Sequence, residues 1–173
     1  MAMITLNPEI EHPHLISQKT KDVLTKAADA SKNPDITINS GIRSPQRQAI
    51  AMYDNLAKGA RIAYAAPGRE VVKAYDDNKG KAKDEVIKLM VAKINELSAK
   101  GQRTSLHCVS EADYSKLNIV DVSKNIPNPR DFVKALIKDD SVIRVITPFT
   151  SDYNNSKVSV DGNEQSIHVE IKQ

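Results

Sequence analysis

Amphipathic helical spacing fills most of the first half of this chain, and strand-like alternation fills most of the second. That order constrains the fold more than any other feature of the sequence. Residues 14–32 place Ile16, Val23, Leu24, Ala27 and Ala28 on one helical stripe that ends near Asn33-Pro34. Ser44-Pro45 offers an N-cap followed by proline at the first helical position, and the helix it opens turns Ala49, Met52 and Leu56 inward before Gly59. A third helix over 84–100 carries Val86, Leu89, Met90, Ile94 and Leu97 and stops at Gly101. Residues 60–83 read as an exposed loop or a short helix. Strands are expected at 35–39, 104–109, 117–122 and 142–147, with a helix opening at Asn128-Pro129 and running to Asp139. Residues 157–160 and 166–171 are expected to form a hairpin around Asp161-Gly162. Helices first and strands later predict an α+β fold, with helices packed on a small, mainly antiparallel sheet, rather than a doubly wound one.

The 173 residues suit one domain, residues 1–173, with 1–13 as an extended N-terminal segment. Twenty-five Lys+Arg against 22 Asp+Glu leave a net charge of only +3, far from a dedicated nucleic-acid binder. Aromatics are 4% with no Trp, which argues against a base-stacking surface. No apolar run approaches a membrane span, and the first residues lack the apolar stretch of a Sec signal. Synthesis in the cytoplasm is therefore expected, with any export by another route. Cys108 is the single cysteine, so neither an intrachain disulfide nor a Cys-rich zinc framework can form. His107 beside it is poorly placed for proton transfer if the segment is extended, and a small buried residue is the expected role of Cys108. Phosphate-cradling glycine motifs are absent.

Chemistry concentrates on three residues. His107 and His168 sit on expected strands, and Asp121 lies inside Ile119-Val120-Asp121-Val122. A carboxylate among such neighbours is costly to bury unless it is paired or bound to a metal. Two imidazoles and one carboxylate make an open zinc site with a fourth position for water. Residue types alone also allow two satisfied histidines and a turn-capping Asp.

The order of three short elements adds to this. Ile38-Asn39-Ser40-Gly41-Ile42-Arg43-Ser44 leads to Gln48; Ser105-Leu106-His107 follows; Ile167-His168-Val169-Glu170 closes the series. In that order the chain resembles the LAS-type zinc peptidases, which include D-alanyl-D-alanine carboxypeptidases and phage L-alanyl-D-glutamate endolysins. The resemblance spans residues 15–173 and implies a Zn²⁺ site on His107, Asp121 and His168. It also implies that Arg43 grips a substrate carboxylate or the developing oxyanion, and that Gln48 positions substrate. The substrate implied is the peptidoglycan stem peptide or its cross-link. The implied setting is the cell wall in the periplasm, reached after lysis or injection, as for an endolysin or an antibacterial effector with an inhibitory immunity protein. A monomer is expected.

Two departures from the family pattern matter. The family's metal Asp stands about seven residues after its His, where this chain has Tyr114; Asp113 lies at plus six and Asp121 at plus fourteen. Asp121 is preferred for its apolar strand, with Asp113 as the alternative. The family's general base stands three residues before the second metal His, where this chain has Gln165. An amide cannot take a proton at neutral pH. Glu164 is the preferred replacement and Glu170 the other candidate, since residues two apart on a strand share a face. If neither serves, the chain is a metal-binding module without hydrolysis, as a resemblance to hedgehog-type signalling domains permits.

Overall fold

A computed structural model describes residues 1–60 and 62–173. The fold is α+β, with a six-stranded mixed sheet in the order β1-β2-β3-β6-β4-β5. The strands are β1 Met3–Leu6, β2 Asp35–Ser40, β3 Leu117–Ser123, β4 Val142–Thr147, β5 Val158–Val160 and β6 Ser166–Lys172. The helices are α1 Gln18–Ala30, α2 Pro45–Ala57, α3 Ala66–Asp76, α4 Lys83–Ala99, α5 Glu111–Tyr114 and α6 Pro129–Leu136. The chain divides into two compact units, Met1–Ile42 with Ser110–Gln173 and, separately, Arg43–Val109. Among the described residues, no helix is long and apolar enough to cross a membrane.

The first unit is the sheet with α1, α5 and α6. Strand periodicity gives β6 two different faces. Ile167, Val169 and Ile171 join Ile36, Ile38, Val120, Val122 and Val145 in a core closed by Leu24, Ala27 and Ala28 of α1 and Phe132, Val133 and Leu136 of α6. His168 and Glu170 alternate with these residues and belong to the opposite face. Polar contacts fasten the ends of the strands to α1: Asn118 Oδ1 accepts from the Ser17 N–H and the Thr20 hydroxyl, and the Ser17 hydroxyl donates to Gln173 Oε1. Residues 3–6 of the expected extended segment are an edge strand, paired in parallel with β2.

The second unit is built on α4, which packs on α2 and α3. Its core is Ala49, Met52, Leu56, Val71, Val86, Ile87, Met90, Ile94 and Leu97. Ser44 caps α2 as the sequence predicts, its hydroxyl accepting from the Arg47 N–H at 3.2 Å. The segment before α3 lies tight against it: a Cβ on Gly68 would meet Tyr64 Cβ at 2.6 Å. Half-buried Cys108 packs beside this core.

Two expected elements are corrected. Residues 104–109 form a turn rather than a strand, because the Ser105 hydroxyl takes the His107 N–H and the Ser105 carbonyl takes that of Cys108. A short hydroxyl side chain that captures nearby backbone in this way competes with sheet formation. The expected hairpin of 157–160 with 166–171 does not form either: β5 pairs with β4 in parallel, and β4 lies between β5 and β6. Burial decides this, since β6 is covered along nearly its whole length and takes a central place, while the three-residue β5 is mostly exposed and takes the edge.

Candidate metal centre

Register assembles the centre on the face of the sheet away from α1 and α6. Asp121 on β3 pairs directly with His168 on β6, and Ile146 of β4 stands on the other side of His168. Two residues further along β6, on the same face, Glu170 lies between Ile119 and Arg144. On β2, Ile38 pairs with Val122 but Ser40 pairs with Asp121, so the extra residue Asn39 makes a bulge. The bulge re-aims the end of β2 and sets Ser40 beside Asp121. Gly41 follows, in a place where a Cβ would sit 3.0 Å from the Tyr114 hydroxyl. Glycine thus suits this position by allowing close approach to Tyr114 rather than by backbone freedom.

Both edges of the His168 ring face carboxylates. Nδ1 lies 3.1 Å from Asp121 Oδ1 and Nε2 lies 3.3 Å from Glu170 Oε1, while Arg144 Nη1 stands 3.7 Å from the same Glu170 oxygen. His168 is 4% and Glu170 7% exposed. Burial by itself pulls the imidazole pKa down, but the hydrogen bonds and charges of Asp121 and Glu170 outweigh it and hold the pKa up at about 9. Two carboxylates on one buried imidazole call for a positive charge, which either a proton or a metal ion can supply. Tyr114 is fully buried and donates from its hydroxyl to the Ile119 carbonyl at 2.9 Å. That burial, with the Asp121 charge nearby, keeps its phenol pKa well above the ordinary value.

One ligand atom from each of His107, Asp121 and His168 lies within 4.8 Å of the other two, and the three could hold a metal ion. Their chemistry suits one: two imidazoles and a carboxylate, with His107 and His168 buried and Asp121 half-buried. The 3.1 Å between His168 Nδ1 and Asp121 Oδ1 is close to the roughly 3.4 Å that separates N and O ligands of a tetrahedral ion. Asp113 does other work, since it is exposed, accepts from the Ser110 hydroxyl at 2.9 Å and stands in the first turn of α5.

The remaining expected residues fall as follows. Arg43 is half-buried, and its backbone N–H donates to the His107 carbonyl at 2.9 Å, tying the start of the Arg43–Ser44 segment to that histidine. Gln48 is 3% exposed on α2, and among the described residues its buried Oε1 has no hydrogen-bond partner. Glu164 is half-buried at the end of the loop that enters β6, with its carbonyl 3.3 Å from Lys124 Nζ. Gln165 is exposed and accepts from Lys124 Nζ at 3.1 Å. Sequence reasoning missed Arg144, although an arginine inside the apolar run Val142-Ile143-Arg144-Val145-Ile146 was a usable signal. It also left unassigned Tyr114, which packs under the bulge. Comparison of the chain with protein-family models, curated proteins and solved structures finds no match.

Proposed function

We propose that this protein is a zinc-dependent peptidase that hydrolyses an amide bond in the peptidoglycan stem peptide or its cross-links. The observation that carries the reading is the convergence of ligand atoms from His107, Asp121 and His168 within 4.8 Å. The Ser40-Gly41-Ile42-Arg43 segment supports it, because the bulge on β2 brings its first residue beside Asp121. When bound, zinc supplies a Lewis acid that activates water and polarises the scissile carbonyl. His107 and His168 stay neutral as ligands and Asp121 supplies the one negative charge. Glu164 takes the proton from the attacking water and returns it to the leaving amine nitrogen. The Arg43 guanidinium binds a substrate carboxylate or the developing oxyanion in a fork. Gln48 offers a buried amide oxygen with no partner among the described residues, a suitable acceptor for a substrate N–H. An endolysin and an injected effector remain equally consistent with this chemistry.

A second reading is a zinc-binding module without hydrolysis. It is favoured by Gln165, an amide where the resemblance calls for a carboxylate, held away by Lys124 Nζ. Mass spectrometry of purified peptidoglycan digested with and without a chelator separates the two. Chelator-sensitive new termini are expected, and they would name the bond. No new termini from a preparation holding stoichiometric zinc would sink the peptidase and leave the module.

A further inference from the structure

We infer that Glu170 is a positioning residue, accepting the hydrogen bond of His168 Nε2–H and so committing Nδ1 to the metal, with Arg144 steadying the carboxylate from the neighbouring strand. The inference rests on the metal reading of the centre, though not on hydrolysis.

The geometry assigns the two ring edges to different jobs. Nδ1 faces Asp121, its fellow metal ligand, at 3.1 Å, and Nε2 faces Glu170 at 3.3 Å. An ion shared by Asp121 and His168 belongs on the Nδ1 edge, which leaves the Nε2 proton for Glu170. A neutral imidazole carries one N–H, and a partner that accepts it fixes the tautomer and makes the other nitrogen a better donor to metal. The sheet makes this arrangement stiff. Glu170 follows His168 by two residues on the same face of a central strand, with Arg144 paired across from it on β4. The same geometry removes Glu170 from the role of general base, because it stands across the imidazole from Asp121.

Burial supplies a second argument. Glu170 is 7% exposed in a strand whose neighbours Val169 and Ile171 are fully covered. An apolar side chain there would serve stability at least as well as a desolvated carboxylate. The charge fits a role toward His168 better than a role in packing.

Zinc titration against a competing chelator, joined to ¹⁵N NMR of histidine-labelled protein, tests the inference on the whole chain. Zinc-loaded wild type should show His168 with Nδ1 bound to metal and a protonated, slowly exchanging Nε2. Glu170→Ala should weaken zinc binding by about 10–100-fold and speed that exchange. Glu170→Gln, whose amide oxygen still accepts the bond, should recover part of the loss. Nε2 as the metal-bound nitrogen in wild type would overturn the inference without need of any variant. So would equal zinc affinity in wild type and a folded Glu170→Ala. Wild type that binds no zinc overturns both this inference and the peptidase. Zinc binding with the expected tautomer but no peptidoglycan cleavage overturns the peptidase alone.

Discussion

The two faces of β6 are both well covered and chemically opposite. On one face Ile167, Val169 and Ile171 lie fully buried against α1 and α6. On the other, His168 and Glu170 are nearly as well covered but carry titratable groups flanked by Asp121 and Arg144. Burial is common to both, and polarity separates them. Apolar atoms gain free energy when removed from water, whereas a carboxylate or imidazole loses it unless partners replace the water. A period of two along one strand thus divides stability from chemistry, and a substitution on one face should leave the other face's property intact.

The largest effect should come from the dry face. Phe132→Ala empties a site that is fully buried under the sheet and should cost about 3–5 kcal/mol in denaturant unfolding. Zinc affinity of the remaining folded protein should be unchanged; a parallel loss of zinc binding would break the division between faces. Next is the proton on the wet face. With metal removed by chelator, His168 has a folded pKa near 9, above its ordinary 6.5. Its pairing with Asp121 and Glu170 therefore stabilises the fold fully below pH 6.5 and fades as pH rises through 9. Wild type should lose on the order of 3 kcal/mol relative to His168→Gln across that range. A flat difference in unfolding free energy would show that the two carboxylates do not hold a charged imidazole.

Zinc should then take over from the proton. At a free concentration a hundredfold above its dissociation constant, the ion should add about 2.7 kcal/mol to the unfolding free energy at neutral pH. His107→Ala, Asp121→Asn or His168→Ala should each remove most of that gain, while Asp113→Asn should leave it whole. The reverse pattern would return Asp113 to the ligand set. The smallest effect lies in the second unit. Ser44→Ala deletes the cap of α2 and should cost about 1 kcal/mol in thermal unfolding, with zinc affinity kept.

Local signals made much of the fold legible. The stripe of Val23, Leu24, Ala27 and Ala28 marks α1, and Ser44-Pro45 marks the start of α2 within a residue. Asp121 stood out because no apolar strand tolerates a bare carboxylate, and the structure sets it opposite His168. What stayed hidden was decided at a distance. The Asp161-Gly162 turn signal is local, but the partners of β6 are chosen by burial on both sides, so β3 and β4 displaced the expected hairpin. Ser105 misled through the opposite scale, a hydroxyl two residues from His107 that bends the backbone out of an extended path. Arg144 drew no attention because its meaning depends on Glu170 lying across from it, and pairing register is not written in either strand alone.

The strand order has a kinetic consequence. β6 comes after every other strand in the sequence, yet it sits between β3 and β4 in the sheet. During vectorial synthesis on the ribosome, β3 and β4 must wait with open hydrogen-bonding edges until β6 emerges. Pairings so distant along the chain raise contact order and slow folding. Asp121 and His168 meet only when that strand docks beside β3, so a chain in which β6 has not yet paired lacks the assembled pair.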